Sequence, residues 1–285
     1  MCSSDLQRTR APFRLSDPLD LVASQAEVAE RTIRQRTRAS TDARGFGVFW
    51  GGEITTPTKG IVEGANGTEW GGIGGFAWDL GESVSAGVNI GYSAFSGNVN
   101  DGFGEMRVGT LRVGGFATWT YGEFFMDVGL AGGWNNFDVT RNVFSQGQGL
   151  GAQTFNSNSD GFLVEGTVGM GYRIPLGESF AITPEGSVLY NYITTGDMDE
   201  TGSSSASLKV DPGDINAFTG RVGADLSWSA LPGLVFDVGA GWQGTFIENG
   251  GYASTLTNIN VALPVEVDNE TVNTAYFGGG VNFDA

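Results

Sequence analysis

Past Arg44 the chain alternates apolar and polar residues with a period of two. The run "FFMDVGLAGGWNNFDV" (124–139) is representative: Phe124, Met126, Val128, Leu130 and Trp134 fall on one side of an extended chain. Asp127, Gly129, Ala131, Gly133 and Asn135 fall on the other, as side chains of a strand must. Read this way, the sequence predicts ten strands, near 44–56, 67–80, 83–98, 105–121, 123–140, 160–175, 179–195, 205–229, 234–248 and 271–283. Their connections alternate between tight and long. Tight ones fall at 80–82, 121–123, 175–178 and 230–233, and long ones at 57–67, 98–105, 141–160, 195–205 and 248–271. One end of the sheet therefore carries turns and the other loops, the asymmetry of membrane β-barrels.

Charge sorts with the alternation. The apolar registers led by Phe124, Phe162, Phe180, Phe218 and Leu234 contain no charge, whereas the intervening ones hold Asp127, Glu165, Arg173, Glu185, Arg221, Asp225 and Asp237. Arg112 joins them from the strand near 105–121. A soluble β-sandwich would sort charge too. Two features favour a membrane barrel instead. The strands reach the nine to eleven residues, roughly, that a tilted crossing needs, and aromatics gather at strand ends: Phe116/Trp119/Tyr121, Trp134/Phe137, Tyr190/Tyr192, Trp228 and Trp242. A lipid-facing charge near the midplane costs about 2–4 kcal/mol, so a membrane enforces what a sandwich only prefers. The apolar register is thus expected outside. The Gly-rich polar register is expected to face a lumen with space for an internal helix.

The head of the chain differs. Residues 1–44 hold 8 of the 15 basic and 6 of the 32 acidic residues, so a slightly basic head precedes an acidic body. Asp17 is an N-cap before Pro18, and Leu19, Val22, Ala26, Ala29 and Ile33 then recur at three- and four-residue steps, predicting a helix over 17–40. Arg31, Arg34 and Arg38 form a stripe on another face. From Pro18 to Ser40 such a helix would measure roughly 34 Å, about one bilayer core.

Composition narrows the function classes. The chain has 285 residues, 47 of them Gly, with 12% aromatics and a net charge of −17. The acidity excludes a nucleic-acid partner, which would need clustered Lys and Arg. No apolar run is long enough for a transmembrane helix, and no leader opens the chain. The opening "MCSSDL" matches the translation of a common sequencing adaptor, so residues 1–6 are set aside and Cys2, the single cysteine, is read as no lipid anchor. There is no histidine, which removes His-based triads and His-ligated metals. No cofactor, metal or enzymatic activity is expected.

The run "GTLRVGGFATWTYGEFFMDVGLAGGWNNFDVTR" (109–141) resembles the central hairpin of the autotransporter translocator domain. The likeness continues through "FLVEGTVGMGYRIPLGESFAITPEGSVLYNYI" (162–193) and "SLKVDPGDINAFTGRVGADLSW" (207–228), the latter resembling the family's Gly-Arg-x-Gly strand. The resemblance implies an outer-membrane barrel of a Gram-negative bacterium, type V secretion of an N-terminal passenger, and a helix threading the pore. It also implies the barrel-assembly machinery and periplasmic chaperones as partners, besides membrane lipid. The family's barrel has twelve strands and ends on an aromatic residue, whereas "NTAYFGGGVNFDA" resembles the tenth strand. The expected organisation is a passenger stub (1–16), a luminal helix (17–40) and a translocator barrel (44–285) lacking its last hairpin, with signal and passenger also missing.

Candidate chemistry is electrostatic. Asp127, Asp225 and Asp237 lie about four residues from short turns, by register on the luminal face, so they are expected to ring the lumen at one height. The helix's C-terminal end, with Arg31, Arg34 and Arg38, would meet that ring and seat there. Each acid on its own is equally well read as a solvated luminal carboxylate. Some relatives cleave their helix at an Asn pair, but no Asn occurs between Asp17 and Arg44. Pro184, inside a strand, cannot donate to a ladder. Competing readings are a passive ten-strand porin or adhesin barrel, and a barrel protease or phospholipase, which the absent histidine disfavours.

Overall fold

The computed structural model describes residues 44–56, 65–99, 104–143, 153–201, 207–231, 234–249, 252–256, 261–265 and 270–283. The helix expected over 17–40, with Arg31, Arg34 and Arg38, lies outside the described residues. Everything described is strand or turn. The strands are β1 (Arg44–Thr56), β2 (Ala65–Asp79), β3 (Val84–Val99), β4 (Gly104–Tyr121), β5 (Phe124–Val143), β6 (Gln153–Tyr172), β7 (Ile174–Pro175), β8 (Phe180–Thr195), β9 (Met198–Asp199), β10 (Leu208–Val210), β11 (Gly213–Leu231), β12 (Leu234–Asn249), β13 (Tyr252–Leu256), β14 (Val261–Val265) and β15 (Glu270–Phe283).

The ten long strands pair in chain order, β1-β2-β3-β4-β5-β6-β8-β11-β12-β15, each antiparallel to the next. They make a curled sheet, with β1 and β15 at its two edges among the described residues. The tight connections close as their sequences require. Gly122 and Gly177 take φ of 59° and 90°, a backbone that β-carbon-bearing residues avoid. Leu80 N–H bonds Val84 O at 2.8 Å and Leu176 N–H bonds Phe180 O at 2.7 Å.

Three elements depart from the periodicity. The connection expected over 141–160 is largely strand, because β5 runs on to Val143 and β6 starts at Gln153, paired throughout. The strand expected over 205–229 breaks at Asp211-Pro212, since Pro cannot continue the ladder. Its first piece, β10, leaves the main sheet for a four-stranded flap, β14-β13-β10-β9, built within the long connections. Pro184 also finds an account. The β6–β8 ladder ends at Gly171↔Glu185 and resumes through β7 at Ile174↔Ile182, so the gap falls where Pro184 has no N–H to give.

Alternation decides which side chains meet which surroundings. On β5 the burial sequence from Phe125 to Asn135 puts Met126, Val128, Leu130 and Trp134 on the exposed convex face, and Phe125, Asp127, Ala131 and Asn135 on the buried concave one. Aromatic rings form two belts on the convex face. At the turn end Trp119 stacks on Tyr121, and Trp228 on both Phe180 and Phe236, with centroids 5.5–6.2 Å apart. At the loop end Trp70 meets Tyr92 and Phe162 meets Tyr192. Between Phe162 and Tyr172 the outward positions of β6 are Val164, Gly166, Val168 and Met170, an apolar span of about 25 Å at a tilt near 40°.

Phe116 and Phe137 are corrections to the expected girdle, for both share the concave register. The Gly-rich inner register also does more than leave room. A β-carbon on Gly87 would overlap the Phe116 ring, and one on Gly171 the Phe125 ring. These glycines let aromatic rings from the neighbouring strand lie flat against the wall.

Candidate functional site

The concave face is the part of the molecule that can hold another chain, and its chemistry changes with height. At the turn end are carboxylates. Asp127 is 3% exposed, and Thr118 Oγ1 on the adjoining strand donates to its Oδ1 at 2.9 Å. Asp237 is half-buried and, like Asp127, is the fourth residue of its strand. Asp225 is half-buried over Gly239, its partner on β12, and lies one inward step above Ser227, which faces Asp237. All three carboxylates thus occupy the turn-side part of the concave wall.

The other sequence-predicted charges spread around them. Glu185 is half-buried between Gly171 and Gly223. Arg221 is half-buried, and its Nε donates to Gln243 Oε1 at 3.0 Å. Arg173 is exposed, one residue beyond β6, where its backbone N–H bonds Glu123 O at 2.8 Å, so it belongs to the turn rim. Glu69, 7% exposed on the concave side of β2, belongs with these charges. Its strand is so rich in glycine that the alternation there is faint.

Mid-wall, the structure joins two charges that the sequence could only place on one face. Arg112 donates through Nη2 to Glu165 Oε1 and through Nη1 to Asn89 Oδ1, the latter at 3.3 Å. The pair bridges β4 and β6 across β5, whose inward residues at that level are Gly133, opposite Arg112, and Ala131, opposite Glu165. Only small residues there let the guanidinium cross. Arg112 is 5% and Glu165 2% exposed, and charges so buried are tolerated only when paired and hydrogen-bonded. Asn135 faces Thr110, and Asn191 faces Glu165. Both amides are fully buried and have no hydrogen-bond partner among the described residues.

Above this level the concave face turns apolar. Phe95, Met106, Val108, Phe137, Val139, Leu163, Ile193, Ile215, Ala217 and Ile247 form one buried cluster, with Met198 of β9 in it and Val210 of β10 packed on it. The contributing strands run from β3 to β12, with the flap packed on them. The flap is tied down beside the cluster. Arg141 on β5 makes a two-pronged ion pair with Glu200, Nε to Oε1 at 2.6 Å and Nη2 to Oε2 at 2.5 Å. Glu200 Oε2 also accepts from Leu208 N–H at 2.8 Å, and the guanidinium sits 4.7 Å over the Phe155 ring.

The convex face inverts at the same height. Asn136 bonds Asp160 at 3.2 Å, Thr140 bonds Asn156 at 3.0 Å and Thr154 bonds Asn142 at 2.9 Å, a polar ladder where the apolar band stops. Among the described residues no group of His, Cys, Asp or Glu is arranged to hold a metal ion.

The family model described as "Autotransporter beta-domain" matches residues 45–285. The translocator domain of autotransporter NalP from Neisseria meningitidis is similar in structure, with a TM-score of 0.67 at 16% identity, covering 93% of this chain and 98% of that one. The β-domain of the Bordetella autotransporter BrkA follows at 0.53 and 18% identity, covering 85% and 95%. At such identities the likeness speaks to the fold. No curated protein sequence matches.

Proposed function

The chain belongs to the autotransporter β-domain family, and on that premise we propose that it is an outer-membrane translocator of a Gram-negative bacterium. In this reading it anchors, and helps export, a passenger joined to its N-terminal side. Its task is transport rather than catalysis. The observation that carries the reading is the inverted wall. An apolar convex band of about 25 Å between aromatic belts suits lipid, and a polar concave face suits a passing polypeptide. Family resemblance adds the barrel-assembly machinery and periplasmic chaperones as partners.

Residues 17–40 would thread the lumen as a helix and seat by charge. Arg31, Arg34 and Arg38 would face the turn-side carboxylates Asp127, Asp225 and Asp237. An arginine meeting several poorly solvated carboxylates gains charge-assisted hydrogen bonds that neither partner makes alone.

The test uses a reporter that carries its own inner-membrane export signal, fused ahead of residue 1 of the full chain. Surface exposure of the reporter, read by added protease, is expected; retention inside the cell would overturn the export reading. For the seat, Arg34→Cys is combined with Asp225→Cys in a Cys2→Ser background. Disulfide formation in isolated outer membranes is expected, and its absence at Asp127, Asp225 and Asp237 alike would remove the helix from that position.

A further inference from the structure

We infer that the apolar cluster at the loop end of the concave wall is a second seal of the pore, independent of the helix and its carboxylate seat. The inference rests on the translocator reading, since a seal needs a pore. Its warrant is the reversal of chemistry with height. A water-filled lumen is lined by polar groups, and up to the level of Arg112, Glu165, Asn135 and Asn191 the concave face carries them, Asp127, Thr118, Thr167 and Thr219 included, interspersed with Phe116, Phe125 and Leu189. Immediately above, most inward positions on β3, β4, β5, β6, β8, β11 and β12 are apolar and pack into one cluster, with the inward Ser159, Thr195 and Arg141 at its loop side. Phe137 and Ile193 are completely buried within it. An apolar constriction excludes ions by dewetting even where it is not sterically shut.

The flap gives the seal a way to open. Met198 and Val210 belong to the flap rather than to the wall, so lifting the flap removes part of the cluster. What holds it to the wall is polar and reversible: the Arg141–Glu200 pair and the Thr201–Asn156 bridge to β6. A polypeptide leaving through this end would displace the flap first. On that reading the two closures lie in series, the proposed helix seat at the turn end and apolar side chains at the loop end.

The test measures conductance of the full chain in planar bilayers. Phe137→Ser with Ile193→Ser opens the cluster; Arg31→Ser, Arg34→Ser and Arg38→Ser loosen the helix. Either set alone is expected to leave conductance within about twofold of the unaltered chain, and the two together to raise it on the order of tenfold. If the arginine set alone reaches the combined value, the cluster seals nothing and the inference is overturned. A combined variant that stays closed overturns it too. Should the cluster set alone reach the combined value, the seal stands and the helix seat falls. If Phe137→Ser with Ile193→Ser blocks insertion, Met198→Ser with Val210→Ser replaces it, because those residues lie outside the ten-strand wall.

Discussion

Between Phe162 and Tyr172, strand β6 turns its valines and Met170 outward and buries Glu165 and Thr167, whereas between Thr154 and Asp160 the outward residues are Thr154, Asn156, Asn158 and Asp160 and the buried ones are Phe155 and Ser159. The two halves share one backbone, one register and one period. What differs is where water lies. In the turn-side half the apolar residues point away from the concave side, which is rational only if the convex side is not aqueous. In the loop-side half the ordinary arrangement of a soluble sheet returns, with Phe137, Val139 and Phe155 inside and hydrogen-bonded polar pairs outside. The change between Asp160 and Phe162 marks the outer edge of the apolar band.

That contrast can be broken by mutation. The largest effect is expected for Phe137→Ala, which empties a fully buried site in the loop-side cluster at a cost of about 3–5 kcal/mol. Urea unfolding from lipid vesicles measures it. Phe162→Ala, on the convex face, should cost clearly less, and equal losses would put the boundary in the wrong place. Next comes charge on the convex face. Val168→Lys should lose about 2–4 kcal/mol in the same assay, while Asn158→Lys, outward on the same strand beyond the boundary, should stay within about 0.5 kcal/mol. Similar penalties at both sites would mean that the two halves see the same surroundings. The smallest effect is expected at the flap. Glu200→Gln weakens its bond pattern with Arg141 and Leu208 N–H by about 1–3 kcal/mol. Hydrogen exchange should then quicken in β9 and β10 and stay unchanged around Asp127; faster exchange throughout would show that the halves are not separable.

Much of this was legible in the chain. Ten long strands, their order, the tight turns and the face carrying Asp127, Glu165, Asp225 and Asp237 all follow from alternation, because a two-residue period is local. Three things were not. In the sequence Phe116 and Phe137 look like belt residues, since an aromatic near a strand end looks the same whether it meets an interface or an interior. The flap looks like loops and part of a strand, because two- and three-residue strands such as β9 and β10 carry no periodic signal. The Arg112–Glu165 pair was seen only as two charges on one face, since linking β4 to β6 depends on β5 being small at Ala131 and Gly133.

The sequence by itself therefore determined which residues share a face. Tertiary structure decided what each face meets at each height, which charges touch, and where the interior passes from polar to apolar. The physical reason is that side-chain alternation is imposed by the backbone residue by residue, whereas register across three strands and the position of the solvent boundary are properties of the assembled sheet.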